Sequence, residues 1–292
     1  MCHSNFGTVE SHSVVNKRFT ETNDFIIWYD RLDHPGCNMM CKVIENSHGH
    51  TLKNQNVLQS NEFFCGACSQ GKSVIKLSVA KVGVESPAFL ERIQDDICGP
   101  IHPAYGPFKY YMVLIDASTG WSHVCLLSTR NMAFARLFTK IIRLKAQFPD
   151  HAIKIIRLDN SSEFTSQAFN DYYLSTEITV EHPVAHVHTQ NGLAESLIKR
   201  LQLIARPLLM RTKLPVSIWG HAILHAAALV RIKPTSYHDI SALHLIFGPE
   251  SNISHLRIFG CAIYIPIAHQ NAQRWVPKED WGYMLGMNLV LL

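Results

Sequence analysis

Between residues 90 and 127, short apolar runs alternate with Gly, Pro and Ser punctuation: Leu90 to Ile97, Tyr110 to Ile115 and His123 to Leu127. Each has strand length, and the turn-forming residues between them predict three successive antiparallel strands joined as a meander. The period then changes. Met132 to Phe148 carries Ala135, Phe138, Ile142 and Leu144 to Ala146 near helical spacing and stops at Pro149, which predicts a helix. Ile153 to Leu158 reads as a buried strand, about Ser166 to Leu174 as a helix, and Ile178 to Val180 as a short strand. From Gly192 a helical pattern runs through Ala205, and Pro207, which lacks an N–H, is expected to kink or end it. A further helix is predicted from Val216 to Arg231, before Pro234, and Leu256 to Ile265 looks like a strand. Three strands followed by alternating helices and strands predict an α/β fold, a mixed sheet whose parallel strands are joined by helical crossovers.

The chain ahead of this region has a different character. Residues before about Phe25 are polar and aperiodic, as in a poorly ordered leader, 1–25. From there to about Ser78, His, Cys, Asn and Gly replace long apolar runs, which suits a small unit held by a metal rather than by a large core. The expected division is therefore a leader, a small His/Cys unit at 26–80, a main α/β domain at 84–250 and a truncated downstream segment at 251–292.

Composition narrows the function classes. The chain is 47% hydrophobic and 17% charged, which argues against wholesale disorder. A net charge of +4 is too mild by itself to establish a polyanionic partner, although 17 histidines would enlarge the positive field below about pH 6.5. The longest apolar stretch, Ala222 to Val230, is interrupted by His225 and falls short of the ~20 residues that span a bilayer, so no membrane partner is expected. The N-terminus lacks a basic start and an apolar run, which places the protein in nucleus or cytoplasm rather than outside the cell. Its cysteines are then thiols or metal ligands, and Cys65-Gly66-Ala67-Cys68 has the two-residue gap of a metal knuckle or redox pair.

Three acids stand where a two-cation phosphoryl-transfer site would need them. Asp96 ends the first strand, Asp159 ends the fourth in Arg157-Leu158-Asp159-Asn160, and Glu195 opens the Gly192 helix, where the macrodipole favours a negative charge. Singly, Asp159-Asn160 reads as a turn and Glu195 as a helix-end stabiliser. Asp95 rivals Asp96: strand alternation puts the two on opposite faces, and periodicity cannot choose between them. Asp116, followed by Ser118 to Gly120, has the setting of a turn residue.

Taken together, DICGP, RLDNSSEF and HTQNGLAES resemble the integrase of copia-type LTR retrotransposons, the plant elements in particular. Thirty-five residues separate Asp159 from Glu195, the spacing of the DDE signature. The likeness extends through Leu114-Ile115-Asp116-Ala117-Ser118-Thr119-Gly120-Trp121, Trp219-Gly220-His221-Ala222 and His255 to Cys261, covering roughly residues 26 to 288. It implies a ribonuclease H-like core in which Asp96, in preference to Asp95, joins Asp159 and Glu195 in holding two Mg2+ or Mn2+ ions. The implied activity is 3′-end processing of element DNA followed by strand transfer into target DNA. Ser161-Ser162 departs from the family, which often has glycine after Asp159-Asn160.

Trp28 to Pro35 together with Cys65 and Cys68 is similar to the family's pre-integrase zinc region, whose ligands are two histidines and two cysteines. Tyr29 stands at the first histidine position and Asp33 at the usual glycine before the second, so His34, Cys65 and Cys68 are the surviving zinc ligands. Structural zinc normally takes four. Cys37, Cys41, His48 or His50 can substitute, and the spacing selects none. His182, His186 and His188 precede Glu195 and suit phosphate contact better than a metal.

Lys199, Arg206 and Lys213 are seven apart, so an uninterrupted helix would align them, with Arg200 and Arg211 as a neighbouring pair. Alone this is a solvated face; with the resemblance, Lys199, Arg200 and Arg206 become candidate contacts to DNA, and joining two DNA ends implies a homo-oligomer. A catalytically inactive nucleic-acid-binding relic of the same polyprotein has the same fold and is the alternative. A cellular ribonuclease H-type hydrolase would leave the His/Cys unit unexplained.

Overall fold

The computed structural model describes residues 24–52, 65–72, 87–158, 176, 178–181, 192–234, 238–248 and 251–261. Its centre is a five-stranded mixed sheet. The strands are β2 (Arg92–Cys98), β3 (Tyr110–Asp116), β4 (Ser122–Leu127), β5 (Ile155–Arg157) and β6 (Thr179–Glu181). Their spatial order is β4-β3-β2-β5-β6; β2, β3 and β4 pair antiparallel as a meander, while β5 and β6 are parallel to β2. With helices on both faces, this is the expected ribonuclease H-like α/β arrangement.

Strand alternation assigns each face its own core. On one side Ile93, Ile97, Met112 and Leu114 pack with Leu137, Ile141 and Leu144 of helix α4 (Ala133–Gln147). The helix lies where its period predicted, but its buried stripe is Ala133, Leu137, Ile141 and Leu144, while Ile142 is 48% exposed. On the other side Tyr111 and Val113 pack under α5 (Gly192–Thr212) and α6 (Trp219–Ile232), against Ala194, Leu197, Leu201, Trp219 and Ala222.

A third core belongs to the small N-terminal unit. Helices α1 (Asp24–Arg31), α2 (Cys37–Glu45) and α3 (Gly66–Gly71) are the helices of its described residues. Phe25, Trp28, Leu32 and Met40 pack there with Leu229 and Ile232 of α6 and with Ile253 and Leu256. The two-residue strand β1 (Ser47–His48) pairs parallel with β7 (Ser251–Asn252), just past α7 (Ala242–Phe247).

Two expectations are corrected. Pro207 neither ends nor divides α5, which continues to Thr212. A proline in a helix interior costs about 3 kcal/mol; here burial of Leu201, Ile204, Ala205, Pro207 and Leu208 along the same helix outweighs it. The proline ring also has a partner, since it lies against Gly71 at the end of α3 so closely that a Cβ on the glycine would stand 2.7 Å from Pro207 Cγ. The second correction concerns Leu256 to Ile265, whose described part, Leu256 to Cys261, is not a strand. Leu256 is buried in the third core and Phe259 in the second, so this stretch passes from one core to the other instead of pairing in a sheet, and just beyond Phe259 the chain turns at Gly260, φ 80°. The helix expected at Ser166 to Leu174 lies outside the described residues.

Candidate metal centre and carboxylate site

The end of α1 delivers the first candidate metal ligand. Asp33 and His34 both have left-handed backbones, φ 56° and 53°, and the His34 amide donates back to the Tyr29 carbonyl at 2.7 Å. A left-handed residue at this point is the usual way to stop a helix, and it explains why glycine is the residue expected at position 33; Asp is among the side chains that tolerate it. The reversal folds His34 back beside the last turn of α1. There its Nε2 lies 3.2 Å from Asp30 Oδ1, and its ring centroid lies 4.6 Å from that of Tyr29.

With Nε2 on the carboxylate, Nδ1 faces the two sulfurs, 3.1 Å from Cys65 Sγ and 3.3 Å from Cys68 Sγ. His34, Cys65 and Cys68 have donor atoms all within 4.8 Å of one another. Holding the remote ring nitrogen on a carboxylate is how proteins fix the tautomer and direction of a metal-binding histidine. Burial works to lower the His34 pKa, but its hydrogen bonds to Asp30 and Cys65 outweigh it and the net shift is upward. Between the cysteines, the Cys68 thiol donates to Cys65 and pushes the Cys65 pKa down, and Cys68 is pushed up correspondingly. A Cys65 thiol held low in this way favours the thiolate form that a soft divalent cation takes. Lys72 Nζ donates to the His34 carbonyl at 2.8 Å and closes the loop.

Among the described residues, Cys37, Cys41, His48 and His50 do not join this group. His50 instead directs Nε2 to the carbonyls of Ser47 and Ile44, at 3.0 and 3.2 Å. Asp30, Arg211 and Lys72 are the members that spacing did not reveal. The available signal was an acid, Asp30, four residues before His34 in the sequence. Arg211 reaches Asp30 from α5 in a direct ion pair.

The expected carboxylates lie on the main domain. Asp96 stands opposite Val113 in the β2–β3 register, so it is on the sheet face covered by α5, whereas Asp95, opposite Leu114, is buried on the α4 face. Asp96 Oδ1 accepts the Ile97 amide at 2.8 Å. Nearby, Gln202 of α5 donates to Cys98 Sγ at 3.3 Å and to the Tyr111 hydroxyl at 3.5 Å, tying the helix to this face. Burial, then Cys98, and with them Asp96, push the Tyr111 pKa upward. Glu195 follows the buried Ala194 in the first turn of α5 and has Oε2 4.0 Å from Lys199 Nζ. Strand β5 runs beside β2 with Arg157 level with Gln94. Asp159, Ser161, Glu163, His182, His186 and His188 lie outside the described residues.

Asp116 has the turn role expected of it, accepting the amides of Leu90 and Thr119 at 2.9 and 2.8 Å and the Thr119 hydroxyl at 2.7 Å. Trp219-Gly220-His221 is a packing motif. The indole donates to the Pro103 carbonyl at 3.0 Å, His221 Nε2 lies 2.5 Å from the Tyr105 hydroxyl, and a Cβ on Gly220 would collide with the Tyr105 ring.

Because α5 is unbroken, Lys199 and Arg206 share one exposed face, and the exposed Lys213 follows directly after the helix. Arg200 points elsewhere, with Nη2 3.4 Å from the Pro234 carbonyl, and Arg211 faces Asp30.

Comparison with known proteins finds similarity to the same kind of element. The chain is 28% identical over 261 residues to the retrovirus-related Pol polyprotein from transposon TNT 1-94 of Nicotiana tabacum, covering 87% of this chain and 18% of that protein. It is 25% identical over 264 residues to the corresponding polyprotein from transposon RE1 of Arabidopsis thaliana, and 24% over 265 residues to that from RE2; each match covers 90% of this chain. The chain is a relative of the Pol polyproteins of plant copia-type retrotransposons. It spans 17% and 18% of the length of the two Arabidopsis Pol polyproteins. No family model matches it. In this Pol relative the His/Cys unit is not a separate bead: α3 packs on α5, and Asp30 reaches Arg211.

Proposed function

We propose that this chain is the integrase portion of a copia-type Pol polyprotein. It trims the 3′ ends of element DNA and joins the exposed 3′-hydroxyl to target DNA, with Asp96, Asp159 and Glu195 holding two Mg2+ or Mn2+ ions. The observation that carries this reading is the shared face of Asp96 and α5, the helix that opens with Glu195, together with the parallel β5 beside it. Ile156 and Leu158 belong to the α4-side core, and Asp159 has the opposite sequence parity, that of Arg157.

Carboxylate oxygens suit hard divalent ions, which supply charge stabilisation to the entering and leaving oxygens of phosphodiester exchange. The chain's own contribution is placement. Asp96 is anchored by the Ile97 amide, and Glu195 is carried on a helix clamped to β2 and β3. Exposed Lys199 and Arg206 meet the DNA backbone, a contact that favours any duplex and weakens with salt. Exchange at two DNA ends makes a multimer the working form, acting in nucleus or cytoplasm.

The small unit holds zinc in this reading. Two sulfurs and an imidazole nitrogen, pre-aimed at one another, are a zinc-type donor set. Manganese-dependent strand joining on duplex oligonucleotides tests the proposal: product that vanishes in Asp159→Asn while DNA binding persists supports it. Binding without product in the unaltered chain would favour the inactive relic.

A further inference from the structure

The position that the family resemblance assigns to a first histidine is Tyr29, and its placement makes it more than a lost ligand. Tyr29 is buried at 8% exposure, and its hydroxyl lies 3.6 Å from Cys68 Sγ. Its ring leans on the His34 ring at 4.6 Å. In a tetrahedral zinc site with Zn–S of about 2.3 Å and Zn–N or Zn–O of about 2.0 Å, adjacent donors lie roughly 3.3 to 3.8 Å apart. The contacts among Tyr29, His34, Cys65 and Cys68, at 3.1, 3.3 and 3.6 Å, are close to such edges.

We propose that the Tyr29 hydroxyl is the fourth donor of this centre, giving a Tyr-His-Cys-Cys site in place of two histidines and two cysteines. The inference rests on the zinc reading of the small unit. Among the described residues, Cys37, Cys41, His48 and His50 are outside the cluster, and the Asp30 carboxylate is occupied by His34 Nε2 and Arg211. Tyr29 and His34 are buried, Cys65 and Cys68 half-buried, and Lys72 holds the His34 carbonyl. Substitution of oxygen for nitrogen leaves the site closed, which is the hallmark of a structural rather than a catalytic zinc.

The test uses the full chain, loaded with Co2+ as a spectroscopic probe and with Zn2+ in competition against a chromophoric chelator. Circular dichroism monitors folding. Tyr29→Phe removes only the oxygen. It is expected to lower affinity at least about tenfold, no less than loss of an outer hydrogen-bonding partner does, and to shift the cobalt d–d bands. Tyr29→His restores a nitrogen at the vertex and is expected to bind at least as tightly as the unaltered chain. A phenylalanine variant with unchanged affinity and spectrum would overturn the tyrosine assignment while leaving the zinc reading intact. A histidine variant that binds no better than the phenylalanine one would do the same. An unaltered chain that takes up neither metal would overturn both.

Discussion

Asp30 and Arg211, 181 residues apart in sequence, form an ion pair that joins the helix before His34 to the last turn of α5. The same carboxylate orients the His34 ring, so one acid serves both the metal centre and the contact with the main domain. Asp30→Asn should lower zinc affinity about 10- to 100-fold, the range for losing a partner that orients a ligand. Chelator competition checks it, and unchanged affinity would show that the sulfurs and the loop alone orient the ring.

The second tie is steric. Gly71→Ala should lower the melting temperature, because its Cβ would stand 2.7 Å from Pro207 Cγ and 3.0 Å from Cδ; overpacking of this kind costs about 1–3 kcal/mol. Combining it with Pro207→Ala should recover most of the loss, since that change removes the ring carbons and restores a helical N–H. Calorimetry on the single and double variants gives the coupling directly.

Two buried histidines predict acid sensitivity. Burial, aided by Arg231 and Lys140, pushes the His123 pKa down to about 2, and its Nε2 accepts the Trp121 indole N–H at 2.9 Å, which requires a neutral ring. Burial, aided by Lys233, lowers His225 to about 4. A depressed native pKa means that the unfolded chain binds more protons. The His225 contribution is therefore complete above about pH 6.5 and lost as pH falls toward 4. Over that window the stability of the unaltered chain relative to His225→Leu should fall by about 1.4 kcal/mol per pH unit. Urea midpoints at several pH values test it; a constant difference would mean that the ring is charged in the folded state.

The basic residues of α5 divide by direction. Lys199→Glu with Arg206→Glu should weaken duplex DNA binding and flatten its dependence on salt by roughly one unit of log–log slope per lost phosphate contact. Arg200→Gln should act mainly on stability, because the guanidinium is turned to the Pro234 carbonyl. Fluorescence anisotropy over a salt series separates them. An Arg200 variant that alone changes the slope would reverse this division.

The strands were readable because each is a short apolar run between turn residues, and β2 to β5 lie where the pattern predicted. Pro207 misled because its local helix-breaking effect is outweighed by burial along α5, with the ring seated against Gly71, far away in sequence. Leu256 to Cys261 misled because residues bound for two different cores imitate a strand when viewed only as apolar. At the metal site, the two-residue gap pointed to Cys65 and Cys68, and the family resemblance added His34. Tyr29 looked like a loss, because ligand identity is judged by residue type whereas the vertex is a matter of position. The choice between Asp95 and Asp96 needed a fact that alternation alone does not contain, namely which face of the sheet lies under α5.

That choice offers the most direct measurement: manganese-dependent strand joining by Asp96→Asn and Asp95→Asn, side by side. Asp96→Asn should reduce product to background with DNA binding intact. Asp95→Asn, altering the acid on the α4 face, should keep product near the unaltered level. Full activity in the Asp96 variant, or loss confined to the Asp95 variant, would contradict the assignment of the acidic site to the face beneath α5.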